Sequence, residues 1–150
     1  MSEDVKYDTF AKSMEEKYPK MLSTPYGGFA IGEGWWHIVD NLMGNIQHHI
    51  DWSVKNHEWD LENDKKDVRP VCPQVTVMQI KEKFGGLRFY YDGGDDYISG
   101  LVTMAETWAG HTCETCGDRG ERRSGGWIRT LCDKHEAEHQ QKIKDIKERV

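Results

Sequence analysis

Thr112-Cys113-Glu114-Thr115-Cys116-Gly117 and Leu131-Cys132-Asp133-Lys134-His135 hold three of the chain's 4 cysteines and one histidine, in two close pairs. Two such pairs, fifteen residues apart, have the ligand count and spacing of a closed tetrahedral zinc site. Cys-x-x-Cys-Gly reads as a zinc knuckle. Its tight turn aims backbone amides at both thiolates, and Gly117 tolerates the unusual dihedrals. Residues 121–130, with Ser124-Gly125-Gly126 in their middle, predict a hairpin. Residues 132–150 are rich in Lys, Glu and Gln and predict a helix. Cys132 and His135, three apart, share a face of it. Knuckle, hairpin and ligand-bearing helix resemble the treble-clef arrangement. Cys113, Cys116, Cys132 and His135 fill four positions, so the ion is a structural Zn2+ with no site left open for catalysis. His139 is the alternative fourth ligand, four residues on along the same face; the shorter spacing favours His135.

Upstream, hydrophobic spacing organises the rest. Tyr7, Phe10, Met14 and Tyr18 predict a helix over 7–20. Trp35, Ile38, Val39, Leu42, Met43, Ile46 and Ile50 form a broad apolar stripe and predict a long helix over 34–54. Residues 56–70 are densely charged and read as an exposed linker. The pattern then alternates: Val75, Val77, Gln79, Lys81 and Lys83 oppose Thr76, Met78, Ile80, Glu82 and Phe84. Gly85-Gly86 and Leu87-Arg88-Phe89-Tyr90-Tyr91 follow, which predicts a β-hairpin. Ile98, Leu101, Val102, Ala105 and Trp108 predict a helix over 97–110. The fold class is α+β: helices packed around a β-hairpin, with a C-terminal treble-clef-like zinc module and helix. Residues 1–110 form the core and residues 111–150 the zinc module, expected as one compact unit.

The chain of 150 residues is long enough to bury a sizeable core. Its net charge is −6, and the acid is concentrated early: residues 1–70 hold 8 Lys/Arg against 13 Asp/Glu, residues 113–150 hold 9 against 8. A domain-wide basic excess, the mark of a general nucleic-acid binder, is absent. No apolar run reaches a membrane span. The polar N-terminus lacks a signal-peptide core, and zinc-type cysteine spacing points to the cytoplasm.

Two local basic spots stand out against the acidic background. Lys81 and Lys83 share a strand face, and Arg88 follows the turn among aromatics. Arg122, Trp127 and Arg129 sit on the zinc-module hairpin. Guanidinium groups and an indole can grip a phosphate or stack on a base. These six residues are the candidate ligand-binding set, for a phosphorylated small molecule or a protein partner; each has a bland reading as well, a solvated face or an arginine neutralising local acid. The two spots reinforce one another only if they face one cleft. A nucleotide- or nucleic-acid-processing enzyme is the alternative, although Asp92, Asp95 and Asp96 read better as loop residues than as a magnesium site. A DNA-binding regulator is a further alternative. Cys72, between Pro70 and Pro73, reads as a small buried hydrophobe; a reactive role needs a histidine or base beside it. His48 and His49 diverge on the helix and read as surface and core-edge side chains.

Gly34-Trp-Trp-His-Ile-Val-Asp-Asn-Leu42, Ile80-Lys-Glu-Lys-Phe-Gly-Gly-Leu-Arg-Phe-Tyr90, and the cysteine block from Thr112 through Gly126-Trp-Ile-Arg-Thr-Leu-Cys-Asp-Lys-His135 together resemble a group of small proteins encoded by bacteriophages and prophages. The likeness covers most of residues 30–136. It implies a phage-related setting in the host cytoplasm and a role such as modulating host defence or host machinery. It supplies no catalytic residue.

Overall fold

In the computed structural model, which describes residues 2–150, helix α1 spans Glu3–Lys17 and β1 is Phe29–Ala30. A single 3-10 turn, Glu33–Trp35, leads into α2 (Trp36–Glu62). Strands β2 (Thr76–Lys83) and β3 (Gly86–Asp92) precede α3 (Asp96–Ala109); β4 (Glu121–Arg123), β5 (Arg129–Leu131) and α4 (Asp133–Glu148) complete the chain. The architecture is α+β. No helix among the described residues is long and apolar enough to cross a membrane.

α1 begins before the hydrophobic pattern does because Ser2 caps it, its Oγ accepting from the Val5 amide at 3.3 Å. Glu3 and Asp4 then face the positive end of the helix dipole. α2 buries the expected stripe from Ile38 to Ile50. It does not stop at residue 54: it runs 27 residues, about 40 Å at 1.5 Å per residue. The charged stretch read as a linker is thus helical as far as Glu62. The reason lies in one ion pair. Asp60 is 3% exposed, and its carboxylate accepts from the backbone N, Nε and Nη2 of Arg69, each at 2.8 Å. Arg69 folds residues 63–69 back and fixes the last turns of the helix.

β2 and β3 are antiparallel, and β1 adds to β2 in parallel, giving the order β1-β2-β3. Two corrections apply to the hairpin. The register closes on Lys83 and Gly86, so the turn residues are Phe84 and Gly85 rather than the Gly-Gly pair. A bulge at Met78 breaks the strict alternation, so Val77 and Ile80 both face the core. Beyond the bulge, Lys81 lies opposite Arg88 and Gln79 opposite Tyr90, all on the other face. The outer edge of β3 is covered by α3, where Glu106 accepts from the Phe89 amide at 3.1 Å.

The core gathers Met14 and Met21, Trp35, the α2 stripe, Val75, Val77, Ile80, Leu87, Phe89 and the inner face of α3, and ends at Ala109. Beyond it, Cys113 and Leu131 are the only buried apolar residues among the described ones.

Candidate metal centre and anion cleft

The C-terminal segment has too little apolar material to hold itself together, and its organisation centres on four side chains. Cys113 and Cys116 come from the knuckle, Cys132 is the N-cap of α4, and His135 lies in that helix's first turn. Their ligand atoms all lie within 4.8 Å of one another. Cys116 Sγ and Cys132 Sγ are 3.8 Å apart, and His135 Nδ1 is 3.2 Å from Cys132 Sγ and 3.6 Å from Cys113 Sγ. A tetrahedral ion with metal–sulfur bonds of about 2.3 Å and metal–nitrogen bonds of about 2.0 Å sets such separations at about 3.8 and 3.5 Å. A disulfide, at about 2.05 Å, is a different geometry. These four residues fit a metal ion and could bind one.

The electrostatics point the same way. Burial raises the Cys113 thiol, but backbone N–H groups of Cys132, Cys116 and Thr115 outweigh it and leave the pKa low. Burial and then the neighbouring thiols Cys113 and Cys132 push Cys116 up, against one backbone amide from Asp118. Three sulfurs this close cannot all ionise unless a cation sits among them. His139 is not part of the cluster. It is buried, with Trp127 edge-on to its ring at 4.8 Å.

The knuckle docks on the turn before α2 through three hydrogen bonds, one between backbone groups and two between a backbone group and a side chain. Gly34 N donates to Glu114 O at 2.8 Å, Gly32 N to Glu114 Oε2 at 2.9 Å, and Trp35 Nε1 to Thr112 O at 2.8 Å. A Cβ on Gly34 would overlap the Cys113 carbonyl. The Gly34-Trp35 block is therefore the seat of the Cys-x-x-Cys loop. Glu114, the first residue inside Cys-x-x-Cys, is a site residue that sequence reading passed over. Burial raises its carboxyl pKa, opposed by the Gly32 amide and by Arg129 at 4.0 Å.

The six candidate ligand-binding residues divide. Lys83, Arg88 and Arg122 line one cleft of about 220 Å³, together with Phe84, Gly85 and Thr130. The two modules meet here: Thr130 Oγ1 donates to Gly85 O at 2.6 Å. Lys81 shares the Arg88 face, and its Nζ lies over the Tyr90 ring, 5.7 Å from the centroid. None of Lys81, Lys83, Arg88 or Arg122 pairs with a carboxylate among the described residues. Arg129 and Trp127 lie elsewhere. Cross-strand register places Arg122 beside Thr130 and Arg129 beside Arg123, on the opposite face. Arg129 lines a separate cavity of about 530 Å³ with Lys6, Lys142, Glu33 and Glu114, a mixed-charge setting. Arg123 is spoken for by Asp133 at 2.8 Å, Glu136 at 3.6 Å and Glu121 at 3.9 Å.

Phe84 is the other residue the sequence did not single out. Its φ is 51° and that of Gly85 is 78°. A bulky residue in the left-handed region is strained, yet the ring is 63% exposed at the cleft mouth. Glu82 Oε2 holds the turn by accepting from Gly85 N at 2.6 Å.

Cys72 is buried as expected, but its sulfur faces His49 and Asp95. Burial and the Asp95 carboxylate push its thiol pKa up to about 11, so it is not an activated nucleophile. Fold and site together define a small α+β protein with a Cys3His cluster that could hold a metal ion. No family model matches the chain, and no curated protein or solved structure is found similar to it.

Proposed function

We propose that the protein is a zinc-stapled, non-enzymatic binding protein that captures a phosphorylated small molecule in the cleft between its hairpin and its metal module. The observation that carries this reading is the convergence of Lys83, Arg88 and Arg122, from two separate parts of a chain of net charge −6, with no ion pair to a carboxylate among the described residues. Unpaired guanidinium groups beside an ammonium suit a phosphoryl or diphosphoryl group. A volume of about 220 Å³ suits the phosphates, with the remainder of the ligand lying over the exposed Phe84 ring. A nucleotide combines these two chemistries. Zinc fits the closed Cys3His donor set of Cys113, Cys116, Cys132 and His135, and its part is structural. In the phage-related setting that the three sequence blocks suggest, such a protein acts on host defence or host machinery by sequestering its ligand.

The test is calorimetric titration of the metal-loaded full chain with inorganic pyrophosphate and with nucleoside mono-, di- and cyclic phosphates, beside native mass spectrometry of protein purified from host cells without chelator. The reading expects one bound phosphorylated ligand, lost on combining Arg88→Glu with Arg122→Glu. Saturable binding that survives the double variant, or no binding across the panel and no co-purified mass, retires it.

A further inference from the structure

We propose that His49, Cys72 and Asp95 form a second metal site, a three-ligand centre for zinc or a similar borderline divalent ion, with one coordination position open. The three come from α2, the Pro70–Pro73 loop and the N-cap of α3, and their ligand atoms lie within 4.8 Å of one another. The Cys3His cluster shares none of these residues.

Each ligand is held by something other than the ion. Asp95 uses Oδ1 to cap α3, accepting from Ile98 N at 3.1 Å, which leaves Oδ2 facing His49 Nε2 at 2.8 Å. The His49 ring lies against Tyr97, centroids 4.2 Å apart and planes 19° from parallel. Cys72 N donates to Ser53 Oγ at 2.8 Å, and Ser53 Oγ donates to Ile50 O at 2.6 Å. On its other side Gly94 N donates to Pro73 O at 2.9 Å, tying the cysteine loop to the turn before Asp95. This is the outer support that fixes ligand geometry in metal sites. A capped helix with an Asp–His pair has no need of a third group, and the thiol is what makes the set a metal-binding one.

Imidazole, thiolate and carboxylate together favour zinc or cobalt over magnesium or calcium. Three protein ligands leave a position for water or a substrate atom, the feature that separates catalytic from structural zinc. The site also has an entrance: the His49 and Asp95 side chains are 26% and 39% exposed while the sulfur lies behind them.

The full chain, purified with its Cys3His centre loaded, is titrated with Co2+ alone, following thiolate-to-cobalt charge-transfer absorption and total metal by native mass spectrometry. Total metal rises from one to two per chain, with a new charge-transfer band. Cys72→Ser and His49→Asn each return the count to one and remove that band, leaving the first centre intact. Azide shifts the visible bands of the second ion. A wild-type count that stays at one, or a second ion that survives both substitutions, overturns the site. If Cys72→Ser fails to fold, the partly exposed His49→Asn decides alone. An azide-insensitive spectrum overturns the open position.

Discussion

The indole of Trp35, wholly buried, donates to the carbonyl of Thr112, the residue before the first cysteine of the knuckle. Replacing it with phenylalanine keeps most of the packing but strands a buried carbonyl. Trp35→Phe is expected to destabilise the fold by about 1–3 kcal/mol. The urea midpoint falls, and amide exchange speeds up in the knuckle before it does in α2. Equal acceleration in both would mean that the bond does not specifically seat the module.

Metal removal should act locally. The main core ends at Ala109, and the C-terminal segment has almost no buried apolar residues of its own. Chelation, or Cys132→Ser, is expected to unfold residues beyond about 111 while α1, α2 and α3 persist. Circular dichroism should lose roughly the contribution of α4, whose 16 residues are a minority of the helix. Near-total loss of helicity would show that the core depends on the module as well.

Within the cleft, Arg88→Ala and Arg122→Ala should each weaken a phosphorylated ligand by about 10- to 100-fold, the range of a lost charge-assisted hydrogen bond. Stability should change by less than about 0.5 kcal/mol, as for surface substitutions generally. Arg129→Ala is the control, because that guanidinium faces Glu114 instead. If Arg129→Ala weakened binding as much as the other two, the cavity it lines would be the better site.

Phe84 offers a separation of stability from binding. Phe84→Asn relieves the left-handed backbone and is expected to raise stability by about 1 kcal/mol. It removes the exposed ring, so nucleotide affinity should fall while pyrophosphate affinity holds. A parallel loss for both ligands would place the ring's role in shaping the turn rather than in stacking.

Asp60 gives a pH dependence with a defined sign. Hydrogen bonds from the Arg69 side chain, then its backbone amide, lower the Asp60 pKa from 3.8 to about 2 against some desolvation. A carboxylate with a depressed native pKa stabilises fully above its unfolded value and loses that contribution as pH falls through the native one. The stability difference between wild type and Asp60→Asn should therefore be constant from pH 7 to about 4 and shrink between pH 3.8 and about 2. Thermal melts of both proteins across that window check it; a difference that shrank above pH 5 would assign the effect to another group.

The readable parts of this sequence were those with local periodicity. The α2 stripe, the ligand spacing of the C-terminal cluster and the existence of both hairpins follow from residues close in the chain. What escaped depends on partners far apart or on single-residue irregularities. The last turns of α2 rest on Asp60 meeting Arg69 after a reversal, which charge density alone disguises as a linker. The Met78 bulge has no compositional mark, yet it brings Ile80 to the core face with Val77. β1 is two residues long and owes its existence to β2. His49 and Asp95 are 46 residues apart, and nothing near either one announces the other. Of the six basic and aromatic candidates, alternation places Lys81 and Lys83 on one strand face, but that Arg88 lies opposite Lys81 and that Arg122 and Arg129 face opposite ways needed the β2–β3 and β4–β5 registers.

The hydroxyl of Thr130 and the carbonyl of Gly85 meet at a joint between two parts organised by different means, one around a hydrophobic core and one around a Cys3His cluster that could hold a metal ion. For the phosphorylated ligand proposed above, preference would then be set at this joint as well as by the cations. A substitution that tilts β5 by a few degrees would widen or narrow the gap between Arg88 and Arg122 and so change which phosphate spacing is accepted. Such a change would leave every charged residue in place.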